Sequence, residues 1–494
     1  MPVLRDLLAK GRRVAVHRPV PRAIVDATTW TQAAHALAEE RATLLGLWGE
    51  RGTAHMALRD GESGEIAVLS LACPDGRFPS VGALHPPAAR LQRTMHDLYG
   101  LVADGACDTR PWLDHGKWPH SRAEARTPYA FLPAEGEGLH RVVVGPIHAG
   151  IIEPGNFHFH AGGETIVRLE ERLGYVHKGI EGLMAGADLA RGGQLAGRTS
   201  GDSTVAYAVA FARAAEAALQ TEPPPRAVWL RALMAEIERL ANHFGDIGAI
   251  CNDASFALMH AHTGVLRERV LRAADAAFGH RLMRDCVVPG GVVRDLDDDG
   301  VVAVRALVAE AQRRFPPLVK LYDDTASLQD RTVGAGYLKP ELARQYGAGG
   351  YVGRASGRDF DARRDLAYTP YDQLRFAVPK RVDGDVNARV WIRIREVEQS
   401  LELVEQILAR LPAGPTLIDL PRGDGEGLAL VEGFRGEVLV WLRLNGDGTI
   451  ARCHLRDPSW FQWPLLEAAI EGNIVADFPL CNKSFNCSYS GHDL

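Results

Sequence analysis

Ser200-Gly201-Asp202-Ser203 places two hydroxyls three residues apart around a glycine and a carboxylate. That is the spacing of a Cys-Gly-x-Cys metal clamp with serine in place of both thiolates. Serine oxygen is a poor ligand for a soft metal. The same residues suit a helix start, because Asp202 or Ser203 can accept the orphan amide hydrogens of a first turn and Gly201 lets the chain bend into it. A degenerate metal site and a helix cap are thus two readings of one stretch.

Further ionisable groups stand in the connector from Gly145 to His160, namely His148, Glu153, His158 and His160. Glu153 lies between Ile152 and Pro154, and a carboxyl in apolar surroundings acquires the raised pKa that a proton relay needs. His158 and His160 would share one face of a strand, which suits a metal pair if a third ligand joins them and a solvated face otherwise. Glu236, Arg239, His243 and Asp246 recur at i, i+3, i+7 and i+10 in an otherwise apolar run. They line one helix face, either as a structural ion-pair ladder or as a buried proton path whose members satisfy one another.

The elements that must hold these groups follow from periodicity and turn residues. Residues 30–45 read as an amphipathic helix, and 44–48, 55–58 and 65–72 as short strands. Residues 121–140 carry Pro, Glu, Gly and Arg without periodicity and read as a linker. Strands are expected at 142–144 and 165–169, then helices at about 180–195, 204–219, 226–251, 255–278, 299–328 and 386–410. The stretch 329–379 reads as irregular, and 438–444 with 449–455 as a β-hairpin around Asn445-Gly446-Asp447-Gly448. The expected fold class is multidomain α+β: a small α+β unit over 1–120, then a mainly helical unit with small sheets over 141–494.

With 494 residues, 46% apolar and 24% charged, the chain predicts a soluble globular protein of two or three domains. A net charge of −6 gives no reason to expect nucleic acid as a partner. No window approaches the roughly 18 to 20 apolar residues of a membrane span, and Met1 to Arg13 do not read as a signal peptide, so a cytoplasmic protein is expected. Seven cysteines are scattered without a Cys-x-x-Cys pair. Any iron–sulfur cluster in its chemistry should therefore belong to another subunit.

Several motifs carry a resemblance. They are Asp97-Leu98-Tyr99-Gly100 with Trp118-Pro119, Gly145-Pro146-Ile147-His148 with Glu153-Pro154-Gly155, and Gly174-Tyr175-Val176-His177-Lys178-Gly179-Ile180-Glu181. Glu238-Arg239-Leu240-Ala241-Asn242-His243, Arg354-Ala355-Ser356-Gly357 and Gly384-Asp385-Val386-Asn387-Ala388-Arg389 extend it. Across its whole length the chain resembles the large subunit of energy-converting, membrane-bound [NiFe]-hydrogenases of the hydrogenase-4 and formate hydrogenlyase kind. These are similar in turn to the fused C and D subunits of respiratory complex I, an NADH-quinone oxidoreductase.

The resemblance implies a domain over 1–120 like the C component of complex I, and over 141–494 a domain like the hydrogenase large subunit or the D component of complex I. It implies a peripheral-arm subunit on the cytoplasmic side of the inner membrane, held by a small iron–sulfur subunit, antiporter-like subunits and other membrane subunits. Its work would be electron transfer to a quinone or another small acceptor, coupled to proton or ion translocation and linked to NAD chemistry in the complex. The family's four nickel-binding cysteines fall on Ser200, Ser203, Ser488 and Gly491, so a nickel–iron centre is expected to be absent. His148 matches a quinone-site histidine, whose tyrosine partner falls on Gly201. Glu153 matches the carboxylate from which these hydrogenases move protons, and Arg435 the arginine above their metal. The alternatives are a noncatalytic coupling scaffold and an active [NiFe]-hydrogenase.

Overall fold

The computed structural model describes residues 3–494; Met1 and Pro2, the first positions of the expected 1–120 unit, lie outside the described residues. An N-terminal sheet runs in the order Arg12–Arg13, Arg22–Val25, Ile66–Ala72, Thr53–Asp60, Ala42–Glu50. Arg22–Val25 pairs parallel with Ile66–Ala72, and the other pairs are antiparallel. The expected helix over 30–45 is shorter, Ala27–Ala38, because Asp26 caps it and Glu40 turns the chain through a positive φ into the strand Ala42–Glu50.

A three-stranded antiparallel sheet follows, with Asn156–Gly162 between Leu139–Val144 and Thr165–Arg172. The stretch 121–140 is no free connector. Phe131 stacks on His158 with centroids 3.4 Å apart, Arg172 lies 4.4 Å from the Tyr129 ring centroid, and the Leu132 amide donates to Glu170 at 2.6 Å. One apolar cluster combines Trp30, Leu47 and Leu69 of the N-terminal unit with Trp460, Leu466 and Phe485, so the two expected units share a core.

The helices Thr204–Ala218, Pro225–Asp253, Ala257–Phe278, Asp298–Asp324 and Val386–Arg410 form the helical body, close to the expected ranges. The expected 180–195 helix is broken into Ile180–Met184 and Leu189–Ala196 at Gly186, whose φ is +81°. The irregular 329–379 stretch contains short helices at Pro340–Gln345, Gly350–Ala355 and Ala362–Asp365. The predicted hairpin is present as Gly436–Leu444 and Ile450–Arg456, antiparallel, and is joined by the unexpected strand Gly425–Gly433. Helix Thr204–Ala218 lies directly on that strand: a Cβ at Gly427 would meet the Ala214 carbonyl oxygen at 1.8 Å. Glycine on the strand and alanine on the helix are what this approach requires.

The N-terminal sheet meets this second sheet through aromatic rings. Trp48 stacks on His454 at 4.8 Å and lies 5.6 Å from Trp441, which is fully buried. Truncating such a side chain leaves a cavity, so Trp441→Ala is expected to cost about 3 to 5 kcal/mol. A thermal denaturation midpoint well below that of the parent chain checks this, with the exposed Val143→Ala as a control that leaves the midpoint in place.

Candidate functional site

Ser200 precedes the turn Gly201–Ser203 that leads into the central helix, and Ser488 caps the short helix Tyr489–Asp493 near the end of the chain. Their hydroxyls, 288 residues apart in sequence, meet at 2.9 Å, and both residues are buried. Asp202 accepts from Ser200 at 2.8 Å and from Ser203 at 3.3 Å. Arg435 closes the group: its guanidinium donates to Asp202 at 3.0 and 2.5 Å and to Ser203 at 3.2 Å, and its Nε donates to the Asn486 carbonyl at 2.5 Å. The four positions of the degenerate clamps therefore converge, with Arg435 joining the turn before the central helix to the last segment of the chain.

The segment Gly174–Gly179 straps this arrangement in place. Asp493 accepts from the amides of Gly174 at 2.9 Å and Val176 at 3.0 Å, and the Leu494 carbonyl accepts from those of Lys178 and Gly179. Lys178 Nζ donates to the carbonyls of Arg198 and Thr199 at 2.9 and 2.8 Å, just before Ser200.

Neither Asp202 nor Ser203 caps the central helix, contrary to the sequence-based expectation, because both are taken up by Arg435. Glu238 does so instead, its two carboxyl oxygens accepting from the amides of Val205 at 2.7 Å and Ala206 at 3.1 Å. Burial pushes the Glu238 carboxyl up to about 8 against the pull of those two donors. Burial also works to raise Asp202, yet the Arg435 charge holds its carboxyl below the ordinary range. A cavity of about 160 Å³ opens beside this pair, lined by Gly201, Asp202, Glu238, Asn242, Arg267 and Met283.

The donor set does not suit a nickel–iron centre. Hydroxyls stand at 200, 203 and 488, and a Cβ at Gly491 would lie 2.4 Å from Asp457 Oδ2, which the Tyr207 hydroxyl holds at 2.7 Å. Burial pushes the Cys481 thiol up to about 11 and that of Cys487 well above its ordinary value, and neither cysteine stands at one of the four clamp positions. Among the described residues no cluster of three or more His, Cys, Asp or Glu could hold a metal ion, His158 and His160 included. His158 is buried under Phe131, so the pair is not a solvated face either.

Glu153 is exposed, as are Ile151 and Ile152, so the apolar enclosure expected from its neighbours does not form; the loop turns them outward. Its Oε2 accepts from the Ser490 amide at 2.9 Å, two residues from Ser488. His148 stays within its own loop, its Nε2 at 2.8 Å from the Gly155 carbonyl oxygen.

The face of Pro225–Asp253 divides in two. Arg239 and His243 both reach Glu396, at 3.3 and 2.7 Å, while Glu236 lies 3.6 Å from Arg239 and pairs with Arg363 at 3.0 Å. Asp246 instead pairs with Arg393 at 3.1 Å and accepts from Asn486 at 2.9 Å, which leads back to Arg435. Arg354 neutralises Glu396 and Glu432 at 2.6 and 2.9 Å. Despite burial, Arg354 and His243 hold the Glu396 carboxyl well below its ordinary range. Glu238, Asp457, Tyr207, Glu396 and Arg354 were not singled out from the sequence as site residues. Glu238 stood inside the Glu238–His243 motif, and Arg354 inside Arg354–Gly357; the others carry no local signal.

Residues 255–424 and 418–493 match the profile of a family described as respiratory-chain NADH dehydrogenase, 49 Kd subunit. The chain is 31% identical to formate hydrogenlyase subunit 5 of Escherichia coli, over 84% of this chain and 77% of that protein. It is 30% identical to the carbon monoxide-induced hydrogenase of Rhodospirillum rubrum, over 70% of this chain and 96% of that protein. With the D component of the NADH-quinone oxidoreductase of Desulfotalea psychrophila the identity is 32%, over 64% and 86%. Among solved structures it is similar to a chain of the membrane-bound sulfane sulfur reductase, an archaeal respiratory membrane complex. There the TM-score is 0.69 and the identity 25%, over 72% of this chain and 99% of that one.

Two outcomes check this geometry. Gly491→Ala should destabilise the chain by about 1 to 3 kcal/mol, as overpacking does, seen as a lower denaturation midpoint. Glu238 binds its proton more tightly folded than unfolded, so its contribution is complete below the ordinary value of 4.5 and is lost as pH rises towards about 8. The midpoint of the parent should thus fall relative to that of Glu238→Gln between pH 5 and pH 8.5; parallel curves would contradict the assignment.

Proposed function

We propose, because this chain belongs to the family that includes formate hydrogenlyase subunit 5, hydrogenase-4 component G and the D component of NADH-quinone oxidoreductase, that it is the peripheral-arm large subunit of a complex I-like membrane oxidoreductase. It takes part in electron transfer coupled to ion movement without a nickel–iron centre of its own. No described helix is long and apolar enough to cross a membrane; in this reading membrane subunits attach the chain, on the cytoplasmic side. A small iron–sulfur subunit supplies the electrons, and a quinone or another small acceptor receives them. Residues 1–120 serve as the unit like the C component of complex I, and 141–494 as the unit like the hydrogenase large subunit or the D component.

The observation that carries this reading is the Ser200–Ser488 contact locked by Asp202 and Arg435. It keeps the architecture of a redox site while replacing its sulfur ligands by proton-bearing groups. In that site Arg435 keeps Asp202 ionised and paired at the edge of the adjoining cavity. Glu238, with a carboxyl pushed up to about 8, is placed to hold or release a proton there. Glu153 supplies a second carboxylate from the surface side, and the groups around Glu236, Arg239, His243 and Asp246 extend the path inward. His148 borders the acceptor, with Gly201 leaving room where a tyrosine would stand.

The rival role is a coupling scaffold, favoured by how fully hydroxyls and the Asp202–Arg435 pair fill the former metal position. Activity of the intact complex, read as acceptor reduction or ion movement, separates the two. Glu153→Gln should lower it at least tenfold, equivalent to about 1.4 kcal/mol of barrier, with assembly unchanged. Full activity in an assembled Glu153→Gln complex supports the scaffold. Elemental analysis should find nickel far below one per chain; stoichiometric nickel overturns both readings.

A further inference from the structure

A large cleft, about 1080 Å³, lies away from the serine site, between the N-terminal unit and the helical body. None of Ser200, Asp202, Arg435 or Ser488 lines it. Val20 and Ile66 form one side, Leu428–Val431 another, and the helices Thr204–Ala218 and Pro225–Asp253 the floor, with Val209 and Ala232 among the apolar contributors. The strand Gly425–Gly433 is paired along its length with Gly436–Leu444, whereas on its other side only Glu426 and Gly427 are paired, with His17 and Arg18. Its remaining edge therefore borders the cleft as an apolar wall.

Three arginines reach this cleft, and two are satisfied. Arg231 makes a bidentate pair with Glu216 at 2.6 and 3.0 Å and donates to the carbonyls of Val288 and Gly291. Arg410 donates to the Gln373 carbonyl. Arg213 differs: among the described residues it has neither an ion pair nor a hydrogen-bond acceptor, and its guanidinium carbon sits 4.6 Å from the Tyr368 ring centroid. Burial lowers its pKa, with no carboxylate paired to it to offset the loss of water. The Tyr368 hydroxyl accepts from the Glu432 amide at 3.2 Å and has its own proton free to donate. The carboxylates lining the cleft are Glu216, already engaged by Arg231, and the exposed Glu222 at the rim.

A half-buried guanidinium set 4.6 Å from an aromatic ring centroid, with its donors unused, can donate to a planar or tetrahedral oxyanion. The apolar walls beside it would bury a hydrocarbon body, as in ligand pockets that combine a few polar groups with a mainly apolar lining. We infer that this cleft binds an amphipathic anion, with a carboxylate or phosphate head on Arg213 and the Tyr368 hydroxyl and an aliphatic body along Val209, Ala232, Leu428 and Leu430. The site does not depend on the redox role proposed above and stands or falls separately from it.

Calorimetric titration of the full-length chain with dodecanoate and with dodecyl phosphate, each below its micelle-forming concentration, tests the inference. One equivalent should bind, and Arg213→Gln should weaken binding at least tenfold without moving the thermal midpoint. Val209→Glu places a carboxylate one helical turn before Arg213, where it pairs with the guanidinium, and should abolish binding even if Arg213→Gln fails to fold. Dodecyltrimethylammonium should not bind. Inorganic phosphate binding as tightly as dodecyl phosphate, the cationic amphiphile binding as well as the anionic ones, unchanged affinity in a folded Arg213→Gln, or no heat up to millimolar ligand would each overturn it.

Discussion

A guanidinium withdrawn from water must find its acceptors inside the protein, and Arg435 sets that condition for the whole molecule. It is 3% exposed, and leaving such a charge unpaired costs several kcal/mol. Asp202 and the Asn486 carbonyl answer it, one from the turn before the central helix and the other from the last segment of the chain. That requirement brings Ser200 against Ser488 and takes Asp202 away from the helix it would otherwise cap. Glu238 then fills the vacant capping role, which explains a carboxylate buried at a helix start on an otherwise apolar face.

The same condition governs the rest of the interior. Arg239, Arg354, Arg363 and Arg393 are all buried, and each meets a carboxylate carried by a different element. Pairs of this kind add little net stability over apolar contacts, but losing one partner strands the other charge. They therefore act chiefly on geometry, fixing the rotation of Pro225–Asp253 against Val386–Arg410 and of both against the strand that ends at Gly433. A path of titratable groups is held in register by the network that neutralises it. Arg213 departs from this pattern, with its guanidinium over the Tyr368 ring at the edge of an open cleft.

Local pattern made much of the framework legible. The 3.6-residue period located the long helices, and Val386–Arg410 coincides with the range read from its apolar face. Alternation around Asn445-Gly446-Asp447-Gly448 located the hairpin. Gly425–Gly433 was missed because its glycines read as breakers, although they are there to admit the backbone of the neighbouring helix. Asn156–Gly162 was read only as a strand face at His158 and His160, its extent obscured by the Gly- and Pro-rich loop before it, and the short helices in 340–365 are held by tertiary contacts instead of by their own periodicity. Residues 121–140 looked like a linker since their anchoring comes from contacts with residues distant in sequence, among them Arg122 on Asp97, Tyr129 under Arg172, Phe131 on His158 and the Leu132 amide on Glu170.

The amino-acid sequence by itself determined the family motifs, the replacement of thiolates by hydroxyls at 200, 203 and 488, and the amphipathic faces, because these depend on residue identity and on spacing within one element. Only the tertiary structure decided that Glu238 caps the central helix, that Glu153 is open to solvent, and that the charged face of Pro225–Asp253 splits between Glu396 and Arg393. Burial and pairing are properties of several chain segments at once. Asp457 beside Gly491, or Ser200 beside Ser488, cannot be read from any window of sequence, since their meeting depends on how distant charges and apolar surfaces are satisfied together.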